Sequence, residues 1–492
     1  MVTGRQGTGP LWTHALDDRP ETAPVTACAA VSCVPPPAGR RRPFGWPVAG
    51  VAPGSPLTLV WRSTRCVSGP ALLRVTVGLD DREEKILDVR SRATGVRLGC
   101  VDVRFADPHQ RFGVMLDRRA VRLAMDEGVE IRLAGGGTPL WIFSGAPAPV
   151  RHRPHLLPLA PGHERAALFR RLASVDSVQP FGWMEGCVLD AQLDMAAAFP
   201  AARRALEGAA GRHLELYVGR GRLEYEDPRG RAADDRIYGI EATLPFAALA
   251  RLRPGHPAIE LALEAWRART DAEGCVRDGP TTAEGGYTVG YPMAVIARRR
   301  ASRGLARAAA AQQLLRCDRL HHRGALHLRR LGDGRLTFRH WARAYAWYLL
   351  GLVRTARELD GLVDTGELWA AARATALRVT EAQTDLGLWH CFLGAPDSGP
   401  EASGSAGIAA ALALGHEAGR LGGWAAGAAA RAWTGLCALL TPDGWLSGSS
   451  QANKGGEALQ LGGYRVVSGS GTGLLGQLGA ALVRMAGPGT RQ

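Results

Sequence analysis

The sequence predicts two successive units, an antiparallel β domain and then a closed ring of helical hairpins. Three observations point there. Short β-branched runs separated by turn residues recur through residues 53–150. Beyond residue 163 the strand pattern stops and helix follows helix, each punctuated by Gly, Pro or Asp. About twelve helical segments alternate between polar outer and apolar inner character, which makes six hairpins and closes into an (α/α)6 toroid. A solenoid of helix pairs is the alternative, and the absence of a fixed repeat period speaks against it.

Taken in order, residues 1–52 are rich in Pro, Gly and Arg, with Pro35–Pro37 and Arg40–Arg42 in a row, and read as a disordered or poorly packed tail. Residues 53–150 carry runs such as Leu72–Leu79, Val101–Phe105, Val121–Met125 and Val129–Leu133, the spacing of an antiparallel sandwich. A Pro/His-rich linker is expected at 151–163, the helical domain at 164–486 and a short tail at 487–492. Helices are expected near 164–174, 181–197, 201–217, 240–252, 255–269, 287–298, 303–317, 338–358, 366–382, 402–419, 423–440 and 470–485.

Composition narrows the function classes. The net charge of +14 comes almost wholly from Arg, because Lys occurs only at Lys85 and Lys454. The arginines are scattered, and no basic stripe interleaved with aromatics offers a nucleic-acid surface; an acidic small substrate suits the charge. Nine dispersed cysteines with no C-x-x-C pair, Cys28 and Cys33 being nearest, argue against a zinc site and a disulfide framework. His321, His322 and His327 cluster, but no carboxylate or Cys completes a ligand set, so neither metal nor cofactor is expected. No run of about 18 apolar residues and no secretory leader are evident, which leads to an expectation of a cytoplasmic protein without a membrane span. Nothing speaks to the oligomeric state.

Three strings carry chemistry. In Trp341-Ala-Arg343-Ala-Tyr-Ala-Trp347, Arg343 and Trp347 are four apart and share a helix face. The guanidinium fork matches a carboxylate and the indole a sugar ring; a core helix with one ion-paired Arg fits the same spacing. The second string is Gly387-Leu388-Trp389-His390, followed by Glu401-Ala-Ser403-Gly-Ser405-Ala406. There, side chains at a helix start either cap orphan amides or hold an anion. The third, Ser468-Gly-Ser470-Gly-Thr472-Gly, lacks P-loop spacing and leads into the last inner helix.

Together with Asp443-Gly444, these strings resemble, in order and spacing, the unsaturated glucuronyl and rhamnogalacturonyl hydrolases of glycoside hydrolase families 88 and 105. That resemblance implies an (α/α)6 barrel. It also implies hydration of the C4=C5 vinyl ether at the end of an acidic oligosaccharide that a lyase has cut. A carboxylic acid protonates C4, water adds at C5, and the hemiketal opens to release the neighbouring sugar. The resemblance implies Arg343, Trp347, Trp341, Trp183, Trp389, Glu401, Ser403 and Ser405 as substrate contacts.

The sequence departs from the family at the principal aspartate. Before Pro292, where it is expected, stand Gly285 and Gly286, with Glu284 immediately upstream. Glu284 is therefore the leading acid/base candidate and Glu241 the second; Glu185 and Asp190 are further carboxylates near an inner helix start. If the glycines instead mark a lost site, the chain is a non-catalytic carbohydrate-binding relative.

Overall fold

The computed structural model describes residues 23–27, 29–61, 67–159, 162–219 and 221–486. Residues 1–22, Cys28 and the tail at 487–492 lie outside that set. The β-rich N-terminal part is antiparallel throughout. One sheet runs in the order 25–26, 155–158, 71–76, 111–116; a second runs 29–31, 57–60, 129–135, 84–91, 97–104; strands 140–143 and 48–51 form a separate pair. Alternation places the side chains. Val129 and Ile131 are buried while Arg132 is exposed, and Leu87, Val89, Val101 and Val103 fill one shared apolar core with Leu73 and Val75 of the first sheet.

Three expectations change here. Residues 25–26, 29–31 and 48–51, placed in a poorly packed tail, form strands, and Val51 is fully buried. The Arg-rich run is tied down: Arg41 bonds Glu226 at 2.6 Å and Asp234 at 2.7 Å. The expected linker holds strand His155–Pro158, which pairs with 71–76 inside the first sheet, its apolar Leu156-Leu157 pair masked in sequence by the flanking prolines. Val121–Met125 lies not in a strand but in helix α1 (Arg118–Glu127), capped by Asp117, whose carboxylate accepts from Ala120 N at 2.7 Å.

Each of the helical segments expected from the sequence contains a helix. They are α2 (Glu164–Leu172), α3 (Trp183–Ala198), α4 (Arg203–Val218), α5 (Pro245–Leu252), α6 (Ala258–Ala268), α7 (Tyr291–Arg299), α8 (Arg303–Leu320), α9 (Ala342–Leu359), α10 (Gly366–Glu381), α11 (Ala402–Glu417) and α12 (Gly423–Cys437). A short α13 (Gly456–Leu461) precedes the last, α14 (Gly469–Met485). Helices α3, α5, α7, α9, α11 and α14 each pack on the next, and α14 returns to α3. These six carry the continuous apolar burial; α9 and α11 are buried over nearly their whole length. The other helices of each pair lie outside them and expose Arg and Glu. Among the described residues no helix is long and apolar enough to cross a membrane.

Two excursions from the helical part matter for the site. Residues 321–339 form a small sheet in which strand Ala325–Arg330 pairs with Thr281–Thr282 and sets Arg329 opposite Thr282. Residues 443–468 reach across to the β-rich part. Asp443 holds Arg74 through bonds of 2.7 and 3.1 Å, the Arg111 guanidinium sits 3.6 Å above the Trp445 ring, and Tyr464 donates to Asp102 O at 3.0 Å.

Candidate active site

The ends of the inner helices open into a cavity that the β-rich part also walls. Glu241, Glu284, Trp183, Trp341, Arg343 and Trp347 all line it, so residues spread over 165 positions in sequence, from 183 to 347, meet in one place.

Local backbone chemistry explains how the two glutamates converge. Pro292 near the start of α7 has no N–H to donate, and the residues before it, Gly286–Gly290, adopt a π-turn in which Tyr291 N donates to Gly286 O. The Thr288 carbonyl accepts the hydroxyl of Thr243 instead. Thr243 belongs to the 3-10 turn Ile240–Thr243 that carries Glu241, so this bond ties the two carboxylate-bearing segments together. The π-turn also settles which residue before Pro292 faces the cavity. A Cβ at Gly285 would run into the Arg316 guanidinium, and one at Gly286 would meet Gln313 Oε1 at 2.8 Å. Neither position opens on the cavity, whereas Glu284 does. Gly351 in α9 answers to the same turn: its Cβ would lie 2.5 Å from the Gly286 carbonyl carbon.

The carboxyl groups of Glu241 and Glu284 hydrogen-bond each other, which requires one proton between them. Burial, then the Glu284 charge, pushes Glu241 up to about 8 against the pull of Arg329. Burial also raises Glu284, opposed by Arg329, by the bond from Glu241 and by Arg343. A protonated carboxyl beside a carboxylate is therefore the resting state near neutrality. Around them stand flat aromatic faces. Trp183 meets Trp347 edge-on at 5.3 Å, and Trp347 stacks on Tyr287 at 5.9 Å. The Tyr238 hydroxyl, held neutral by burial and by Glu241, lines the same space.

Arg343 lines the cavity, yet it does not present a free fork. Its Nε donates to Ser403 Oγ at 3.0 Å, Nη1 to Gln451 O at 3.3 Å and Nη2 to Ser450 Oγ at 2.8 Å and to Ser450 O, with Glu401 3.7 Å away. It packs against the Trp341 ring at 5.1 Å and acts first as a brace for the wall.

Four expected substrate contacts lie elsewhere. Trp389 is fully buried, donating through Nε1 to Val379 O at 2.6 Å, and its backbone N donates to Ser405 Oγ at 2.9 Å. Ser405 donates in turn to Glu401 O at 2.6 Å. Glu401 caps α11, accepting from Ser403 N at 2.9 Å, from Gly404 N and from Ser450 N at 2.8 Å. Burial raises this carboxylate, but Arg343, Ser403 and the amides outweigh it and hold it below its ordinary value. Trp389, Glu401, Ser403 and Ser405 are thus the framework that fixes Arg343. Glu185 is buried against His213, 2.7 Å away, and Asp190 accepts the hydroxyls of Tyr287 at 2.6 Å and Tyr291 at 2.9 Å; neither lines the cavity. Among the described residues no group of three or more His, Cys, Asp or Glu could hold a metal ion.

The sequence reading missed Arg329, Tyr238 and the wall from the β-rich part, Asp80, Asp107 and His109, with Lys454 facing it. Lys454 Nζ lies 2.6 Å from Asp80 Oδ1 and 2.8 Å from Asp107 Oδ1. The rarity of lysine in so Arg-rich a chain was the one signal for it.

The family model Glycosyl Hydrolase Family 88 matches residues 333–486. Among solved structures, a possible member of GH105 family from Klebsiella pneumoniae is similar at 18% identity and TM-score 0.53, over 62% of this chain and 83% of that one. A glycoside hydrolase from family 105 of C. acetobutylicum is similar at 17% and 0.52, over 63% and 96%. An unsaturated glucuronyl hydrolase specific for heparin is similar at 12% and 0.50, over 66% and 96%. No curated protein matches the chain. The helical part thus has the fold of the GH88 and GH105 structures, and the resemblance read from residues 341–473 falls within the stretch that the family model matches.

Proposed function

We propose that the chain is a hydrolase whose (α/α)6 toroid hydrates the C4=C5 bond of a terminal unsaturated uronate on a short oligosaccharide. The observation that carries this reading is the Glu241–Glu284 pair, one proton on two carboxyls inside an aromatic-walled cavity. Glu241, pushed up by burial and by the Glu284 charge beside it, carries the proton and delivers it to C4. Positive charge develops at C5 and on the ring oxygen beside the Glu284 carboxylate. Glu284 takes a proton from water as the water oxygen bonds C5. The hemiketal then opens and releases the neighbouring sugar. Glu284 is left protonated and Glu241 ionised, and their mutual hydrogen bond passes the proton back, restoring the starting state. Roles follow environment, as they do wherever two carboxyls are pushed apart in pKa. Trp347 and Trp183 give the ring apolar faces, and the Arg343 guanidinium at the cavity wall offers its positive charge to the substrate carboxylate.

The test is optical. An unsaturated uronate absorbs in the near ultraviolet and hydration abolishes the band. Wild-type protein should bleach an unsaturated uronyl disaccharide, and Glu241→Gln and Glu284→Gln should each slow it at least a hundredfold. Binding without bleaching across a panel of such disaccharides would make the chain a carbohydrate-binding protein instead.

A further inference from the structure

The segments that carry Glu241 and Glu284 are tied on both sides of the carboxyl pair. One tie lies after both residues in the chain: the Thr243 hydroxyl donates to Thr288 O. The other lies before both. Ile240 N donates to Asp278 Oδ2 at 2.6 Å, so the residue just ahead of Glu241 is held by one six positions ahead of Glu284.

The turn Ile240–Thr243 has no cap of its own. Gly239 precedes it in extended conformation and has no side chain to accept the first amide. Asp278 supplies that acceptor from a distant segment. The approach is close: a Cβ at Gly239 would stand 2.6 Å from Asp278 Oδ2 and displace the carboxylate. Asp278 is itself fixed from two sides. Arg269, just past the end of α6, donates through Nε to Asp278 Oδ1 at 2.8 Å and through Nη2 to Ile237 O at 2.8 Å. The hairpin at 270–276 is anchored on α8, where Arg316 Nη2 donates to Val276 O at 2.6 Å and Gln312 Oε1 accepts from Val276 N at 2.8 Å. Asp278 does not line the cavity, and its side chain is 36% exposed, so the ion pair with Arg269 contributes little to stability.

We propose that Asp278 is a positioning residue for the reaction assigned above, holding the turn that carries Glu241 at the separation from Glu284 that proton transfer needs. This rests on the hydrolase reading. An acid and a base that exchange one proton and act on one substrate must keep their spacing through the cycle, and a small misplacement is costly in rate. The Asp278 charge acts on the same group. Burial, then Glu284, raises Glu241; Arg329 opposes them, Asp278 adds to the rise, and the neutral Tyr238 hydroxyl stands alongside. Removing the Asp278 charge therefore lowers Glu241.

The experiment measures kcat and KM for an unsaturated uronyl disaccharide across the pH range, with wild type, Asp278→Ala and Asp278→Asn. Ala leaves Ile240 N without its acceptor, so kcat should fall roughly tenfold or more while KM stays within about twofold. Asn keeps an oxygen for Ile240 N and loses the charge. It should hold kcat at its optimum near the wild-type value and move the alkaline limb to lower pH by roughly 0.3 unit. A purely structural role would lower the melting temperature and leave both kcat and the limb of the folded variants in place. If the wild type bleaches no such disaccharide, the hydrolase reading fails and this inference falls with it. If the wild type bleaches it, and folded Asp278→Ala keeps its kcat or Asp278→Asn leaves the limb unmoved, the hydrolase reading stands and the positioning role is refuted. Should the Ala variant not fold, the limb of the Asn variant decides alone.

Discussion

Replacing Glu241 by Gln tests the centre of the site because it removes one titratable proton and little else. The ordinary carboxyl value of 4.5 would leave about 0.3% of the acid form at pH 7, whereas a value of about 8 leaves about 90%, so the environment enriches the proton donor roughly 300-fold. Loss of a positioned general acid costs on the order of 10²–10⁴ in rate. Wild-type turnover should therefore follow a bell: it falls at low pH as Glu284 takes a proton, and at high pH as Glu241 loses its own. Stability moves with the same group. Its folded value lies above the unfolded one, so its stabilising share is complete below about pH 4.5 and is lost as pH rises through about 8. At about 1.36 kcal/mol per unit, that share is a few kcal/mol. The Glu241→Gln variant should bleach an unsaturated disaccharide at least a hundredfold more slowly and, above pH 8, melt at a higher temperature than the wild type. Bleaching within threefold of wild type, or a wild-type rate still flat at pH 9.5, would refute the assignment of the proton to Glu241.

Other perturbations separate the site from its framework. Arg329→Met removes the cation that pulls both carboxyls down, so the alkaline limb of the rate profile should move to higher pH, as read from kcat/KM across pH 5–10. Asp443→Asn cuts the buried pair with Arg74 and should cost about 3–5 kcal/mol at pH 7 in denaturant titrations. Burial raises Asp443, but Arg74 outweighs it and holds the carboxyl below its ordinary range. Its share of stability is therefore present above the ordinary Asp value and lost as pH falls through the folded one, so wild type and variant should converge in strong acid. Ser405→Ala leaves the buried Trp389 N–H without its acceptor and should cost about 1–3 kcal/mol in a thermal melt while KM stays unchanged, the opposite of what a substrate contact would show.

The helices were legible because their signal is local. Periodicity, caps and Pro or Gly punctuation mark each one within a dozen residues, and the Trp341–Trp347 string carries its own helical spacing. Glu241 and Glu284 could be named because each sits where a helix begins, but that they touch depends on the Thr243–Thr288 bond and the π-turn ahead of Pro292, which join segments 45 residues apart. The same limit explains the misreadings. Glu401, Ser403 and Ser405 carry the polar atoms expected of a binding loop, and only the position of α9, with Arg343 and the 449–451 strand end against them, turns those atoms inward. Strand 155–158 hid among prolines because a two-sided neighbour in a sheet leaves no trace in its own residues. Sequence alone thus determined the succession of helices beyond residue 163 and the kinds of side chain at their ends, since those follow from each residue and its near neighbours. Which of those side chains share a proton, which brace the wall, and that the β-rich part closes the cavity were decided by tertiary structure, because burial and charge at a point are summed over everything that packs there.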